Sequence, residues 1–286
     1  MHLPIGTIQT ATVLRKIETG YVLKKETDEV LLHNNETENE LKAGQEVEVF
    51  LYQDKGNQIV ATTKLPSILM DTYGWAEVVE VIPDLGAFVS IGIAKDILVS
   101  VDDLPLFESV WPQVGDMLYV TLGKDQEERL LALPATEGVF DRERNQAPDE
   151  LLNKPFTARV YLTNREGTAV ISEEGYRGFI HHSERDEEPR LGQTVTGRII
   201  DVKEDGTVNV SLTPLKQDRM DDDAEAILEL LELNDGVISL TDKSDPEDIR
   251  MSFNCSKSAF KRALGRLMKE RKIEQRDGKT YLITKE

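Results

Sequence analysis

The four histidines, at 2, 33, 181 and 182, and the single cysteine, Cys255, are the side chains of this 286-residue sequence best suited to acid–base, nucleophilic or metal chemistry. Their spacing pairs no base with a nucleophile. There is no Walker loop, no Gly-x-Gly-x-x-Gly opening a helix, no His-Glu-x-x-His and no Cys-x-x-Cys. One cysteine cannot close an internal disulfide or build a multi-cysteine zinc site, and it suits a reducing cytosol. The expectation is a protein that is not an enzyme, with no catalytic residue, no metal and no cofactor. The sequence instead carries rings and cations in its second half. Tyr161, Tyr176, Phe179, His181 and His182 are interleaved with Arg159, Arg165, Arg177, Arg190, Arg198 and Lys203. Near the C-terminus Lys257, Lys261, Arg262, Arg266 and Lys269 recur at helical spacing.

The formal charge of −19 argues against a nonspecific polyanion binder, because a net-negative surface repels phosphate at long range. The charge is uneven, however. Residues 65–136 hold 3 basic and 12 acidic groups, whereas 243–286 hold 12 basic and 7 acidic, so any grip on nucleic acid belongs in the C-terminal part. No apolar run approaches the roughly 20 residues needed to span a bilayer. The N-terminus shows no basic segment leading into an apolar stretch. A cytoplasmic protein without membrane contact is expected.

Three stretches repeat one strand grammar. Each opens with an alternating strand at Ile8–Val13, Ala76–Val81 and Thr157–Leu162. A second strand, led by Gly20, Gly86 or Gly167, follows, and then a third that ends at His33, Ser100 or His181. A glycine at 44, 115 or 192 precedes the fourth strand, and the closing strands end near Thr62, Leu133 and Leu212. Five short strands in about 60 residues suit a closed barrel, since an open sheet of that size would leave two long edges and little apolar face. Strand count alone leaves an OB barrel and an SH3-like barrel both open.

Two strings, Gly86-Ala87-Phe88-Val89 and Gly178-Phe179-Ile180-His181-His182-Ser183-Glu184, resemble the signatures of the ribosomal-protein S-one type of OB domain, an RNA-binding module. Three such units and a C-terminal piece together resemble the conserved virulence factor B family of bacterial RNA-binding proteins, over nearly the whole chain. The resemblance implies RNA binding and an influence on gene expression, virulence genes included. It also implies stacking positions: Thr19, Val22 and His33 in repeat one; Leu85, Phe88 and Ser100 in repeat two; Glu166, Ala169, and Phe179 with His181 in repeat three. All three repeats depart from the pattern. Repeat two keeps one ring with almost no positive charge beside it, and repeat one keeps His33 and little else. Repeat three therefore ranks first for single-stranded RNA, with His33 and Phe88 as weaker candidates and repeats one and two left as spacers or protein contacts. For Phe88 and Phe179 a core position competes with a platform, and the arginines compete with ion pairs to Glu173, Glu174 and 184–188. Alternation puts His181 and His182 on opposite faces, which makes them poor co-ligands for one metal.

After repeat three, Asp221-Asp222-Asp223 leads a helix with Ala224, Ile227, Leu228 and Leu231 on one face, placing the acids at its positive end. A second helix starts with Asp245 and Pro246, and a third is capped by Ser256. A hairpin through Asp277-Gly278 completes a winged-helix plan, with Arg276 and Lys279 on the wing. At Cys255 a reactive thiol competes with a small buried or inert residue, and the latter is the expectation. The expected fold is mainly β and multi-domain: three tandem five-stranded OB-fold barrels at 1–64, 68–135 and 153–214, then an α+β winged-helix domain at 221–286. The expected site, shared by repeat three and the winged helix, comprises Arg159, Tyr161, Arg165, Tyr176, Arg177, Phe179, His181, Arg198, Lys203, Lys257, Lys261, Arg262 and Arg266. The rivals are a DNA-binding transcription regulator that uses the winged helix and a protein–protein adaptor.

Overall fold

A computed structural model describes residues 3–54, 56–213 and 216–283, with the side chains of 216–222 left aside. The chain divides into two compact units, Met1–Leu212 and Thr213–Glu286. The first holds three closed barrels. Barrel one comprises β1 (Ile8–Ile17), β2 (Gly20–Lys25), β3 (Asp28–His33), β4 (Glu46–Gln53) and β5 (Ile59–Thr62). Barrel two comprises β6 (Gly74–Ile82), β7 (Gly86–Ser90), β8 (Ile97–Ser100), β9 (Met117–Lys124) and β10 (Leu130–Pro134). A short helix, α1 (Glu137–Glu143), leads to barrel three: β11 (Pro155–Thr163), β12 (Gly167–Ser172), β13 (Arg177–His181), β14 (Thr194–Val202) and β15 (Val208–Ser211). In each barrel the third strand pairs in parallel with the fifth and the fourth returns to the first, which is the OB order.

Two sequence devices make this plan work. At Gly20, Gly86 and Gly167 an added Cβ would collide with the carbonyl oxygen of Leu32, Val99 and Ile180, so only glycine lets the second strand lie this close to the third. The first strand of every barrel carries a bulge, with the register shifting between Val13 and Arg15, Val78 and Glu80, and Val160 and Leu162. The extra residue bends the strand so that it can serve both sides of the barrel. In barrel three that residue is Tyr161, and the bulge turns its ring out of the ladder onto Phe140 of α1, with centroids 3.9 Å apart.

The second unit contains α2 (Lys216–Leu233), β16 (Val237–Ile238), α3 (Pro246–Phe253), α4 (Lys257–Lys269), β17 (Ile273–Arg276) and β18 (Lys279–Leu282). Ile227, Leu231, Ile249, Phe260, Leu264 and Leu267 form its core. The Asp245 and Ser256 side chains accept the backbone N–H of Glu247 and Ala259, as their capping roles require. Asp277 and Gly278, both at positive φ, make the tight turn of the wing. One expectation is corrected here. α2 begins at Lys216, so the 221–223 acids fall inside the helix and not at its start; the side chains of Asp221 and Asp222 lie outside the described residues. Among the described residues, no helix is long and apolar enough to cross a membrane, and no group of three or more His, Cys, Asp or Glu is placed to hold a metal.

Candidate nucleic-acid interface

The structure sorts the ring and cation residues of barrel three onto separate surfaces. Phe179 of β13 points outward, because Gly178 and Ile180 on either side point in. It lies across from Ala169 on β12 and beside Asn209 on β15, and its ring covers Gly167. Phe179, His181, Lys203 and Asn209 line a groove of about 360 Å³, together with Ser183, Glu184 and Ile200. A Cβ on Gly167 would clash with that ring, so the glycine makes room for it. His181 is fixed at the strand end, where its Nδ1 accepts the Ser183 N–H (3.3 Å) and lies 2.8 Å from the Ser183 hydroxyl. The ammonium of Lys203 is exposed. An exposed ring, an imidazole and an amine around one concavity can stack a base and hold a phosphate.

Other expected residues are committed elsewhere. Tyr161 is 7% exposed, and burial pushes its hydroxyl up to about 12, so its ring is closed to a base. Arg177 donates to Tyr161 (2.6 Å) and to the carboxylates of Glu137 and Asp141, which ties α1 to barrel three and cancels its charge. Burial opposes that charge, but the tyrosine and the carboxylate raise the guanidinium pKa overall. Arg190 pairs with Asp116 of barrel two at 3.3 Å. Arg159 lies over the ring of Trp75, and Tyr176 packs on the barrel-three core; both line a different cleft from the Phe179 groove. Arg165 stays exposed in the β11–β12 loop, and Arg198 donates to the Asn153 carboxamide oxygen at 3.5 Å. His181 and His182 do not face apart as alternation implies. The strand ends at His181, a turn of 3₁₀ helix starts at His182, and the two rings sit 4.1 Å apart.

In the other barrels the same face is poorer. Phe88 is half exposed, but its neighbour across β6 is Glu80, and its β8 partner is Leu98. In barrel one the corresponding positions are Val22 and Leu31, with the half-exposed His33 at the strand end.

On α4, Phe260, Ala263, Leu264 and Leu267 are buried. Lys261, Arg262 and Lys269 are exposed on the far side, and Lys257 is half-buried, donating to the Lys243 carbonyl at 3.4 Å. None of these four makes an ion pair among the described residues. Arg266 is bound to Glu270 at 2.9 Å. On the wing Arg276 lies over Tyr281 at 4.4 Å and pairs with Glu274 at 3.4 Å, while Lys279 is exposed. Burial, with Asp223 nearby, pushes the Cys255 thiol up, away from the reactive thiolate. Sequence reasoning missed Asn209 and Ser183 in the groove. Asn209 reaches Phe179 only through the parallel β13–β15 pairing that closes the barrel, which no local pattern reports.

Three S1-type OB barrels followed by a winged helix define a tandem class of nucleic-acid-binding architecture. Family models match in the same order: an S1 domain at 5–64, the CvfB first S1-like domain at 73–133, the second domain of the virulence regulatory factor CvfB at 140–214 and the CvfB-like winged helix domain at 225–282. The chain belongs to the conserved virulence factor B family. It is 38% identical to conserved virulence factor B of Staphylococcus aureus (strain USA300), covering 98% of this chain and 95% of that one. It is 48% identical to the uncharacterized protein YitL of Bacillus subtilis (strain 168), over 96% and 93% of the two chains. A crystal structure of a Streptococcus pneumoniae multidomain protein with nucleic acid binding domains aligns with a TM-score of 0.67 at 37% identity, covering 98% of each chain.

Proposed function

We propose that this protein is a cytosolic single-stranded-RNA-binding regulator of gene expression and not an enzyme. The cations of α4 and the wing hold the phosphates, and the Phe179 groove of barrel three stacks a base. The observation that carries this reading is the exposed cationic face of Lys261, Arg262 and Lys269, without ion pairs among the described residues, on a helix whose other face is wholly buried. It lies in a segment of net positive charge within an anionic chain, so it is where a polyphosphate can approach. The description of the pneumococcal relative as having nucleic acid binding domains supports the same class of ligand here. Two modest sites joined by one chain raise each other's effective concentration, so neither needs high affinity alone.

A second reading, protein contact through barrel two, is favoured by one observation. Leu106 is 90% exposed and Phe107 63% exposed on the β8–β9 loop, which the Trp111 indole braces by donating to the Pro105 carbonyl at 2.7 Å.

The test is fluorescence anisotropy of a labelled uridine-rich 20-mer with the full chain and its Lys261→Glu/Arg262→Glu variant, in competition with duplex DNA at fixed salt. The RNA reading expects saturable binding, a large loss in the variant and weak competition by duplex. Equal binding by both proteins, or more effective competition by duplex than by single-stranded RNA, contradicts it.

A further inference from the structure

A second cavity, of about 1000 Å³, lies where barrel two, α1 and barrel three meet, and it shares no lining residue with the Phe179 groove. Its lining includes Trp75, Tyr119 and Phe140, with successive ring centroids 4.9 and 5.3 Å apart. The Arg159 guanidinium lies over Trp75, its carbon 4.6 Å from the ring centroid. Among the described residues its Nε is buried without a hydrogen-bond partner, and Arg159 makes none of the ion pairs that commit Arg144, Arg177 and Arg190. An indole-backed, partly desolvated guanidinium that lines the cavity is a flat platform for an aromatic ligand.

Three carboxylates, Glu143, Glu173 and Glu174, line the cavity, and two of them bear on the polarity of that ligand. Glu143 accepts the Tyr119 hydroxyl at 2.9 Å, while Glu173, exposed on the β12–β13 turn, makes no hydrogen bond among the described residues. Carboxylates at the cavity repel a run of phosphates, yet they match a ring edge that carries adjacent N–H donors. Guanine has such an edge, with N1–H and the N2 amino group side by side; adenine offers a single donor group there. We propose that this cavity is a separate site for one guanine nucleotide, stacked on the Arg159 guanidinium with its Watson–Crick edge on Glu173 and its phosphate toward solvent. The nucleotide is free, or it is one residue of an RNA strand.

The test uses Trp75 as its own reporter. The only other tryptophan, Trp111, is replaced in a Trp111→Phe background of the full chain. Guanosine monophosphate and a guanine-containing hexaribonucleotide are titrated separately while Trp75 fluorescence is followed. A saturable response to the mononucleotide identifies a free ligand, and a response to the hexamer alone identifies a residue of a strand. Either response must weaken about tenfold in Arg159→Ala, the size of one stacked base. Glu173→Gln, an exposed substitution that leaves the fold intact, must weaken it as well and remove the preference for guanine over adenine. Phe179→Ala must leave it unchanged, which separates this site from the barrel-three groove. No saturable response up to about 5 mM nucleotide, which would largely fill a site of millimolar Kd, overturns the proposal. So does a response that is the same in the parent, Arg159→Ala and Glu173→Gln.

Discussion

Phe88 in barrel two and Phe179 in barrel three stand on the same face of the same barrel plan, one on the second strand and the other on the third. In register terms Phe88 is opposite Leu98, and Phe179 is opposite Ala169. The aromatic position has thus moved one strand across without leaving its patch. What differs is the company each ring keeps. Phe88 is bordered by Glu80 on the neighbouring strand, whereas Phe179 is bordered by Asn209 and shares its groove with His181 and Lys203. A ring alone is a hydrophobic surface; a ring beside donors and a cation becomes a platform for a nucleotide. Fold identity between barrels therefore says little about which of them binds.

Most of the affinity should then come from charge, with the two rings contributing unequally. The largest effect belongs to Lys261→Glu/Arg262→Glu, expected to weaken RNA binding roughly 100-fold and to flatten the log affinity–log salt slope by about 0.7 for each phosphate no longer neutralised. A salt titration by anisotropy reads both. Next, Phe179→Ala should cost about 1–3 kcal/mol of binding, one stacked base, whereas Phe88→Ala should stay within about twofold of the parent. Equal losses at both positions would break the comparison. Sharpening it in the other direction, Glu80→Lys gives the Phe88 ring the cation it lacks and should raise affinity a few-fold, by about 0.5–1 kcal/mol.

The smaller effects fall on stability. Gly265 sits in the middle of the exposed face of α4, where an added Cβ meets nothing. Glycine there costs the helix about 0.5–1 kcal/mol relative to alanine, without any need from the fold. Gly265→Ala should therefore raise the denaturant midpoint of the second unit and at the same time weaken RNA binding, by holding the strand off the helix. Arg177→Met should lower stability by about 1 kcal/mol, because its two carboxylate partners are half exposed, and leave RNA affinity unchanged. Urea unfolding followed by circular dichroism checks both.

Much of the architecture was legible in sequence because it is local. The glycines that open the second strands, the Ser256 and Asp245 caps and the Asp277-Gly278 turn each impose a backbone geometry on their own neighbourhood. The site was less legible, because its deciding contacts are non-local or break the strand period. Tyr161 reads as an outward ring in a period-two strand, yet the bulge at that residue delivers it to Phe140. Arg177 reads as a free cation, but Glu137 and Asp141, some 40 positions earlier, neutralise it across the α1 contact. Asn209 joins Phe179 only through barrel closure. Lys261 and Arg262 were readable, since helical spacing alone puts them opposite the buried face.

The decisive experiment is ultraviolet crosslinking of the full chain to a uridine-rich oligonucleotide, followed by peptide mapping. Crosslinked peptides are expected to contain Phe179–His181 and the Lys257–Lys269 helix, with the Gly86–Ser90 strand unmodified. Crosslinks confined to barrels one and two, or none at saturating oligonucleotide, would show that barrel three and the winged helix do not hold the strand.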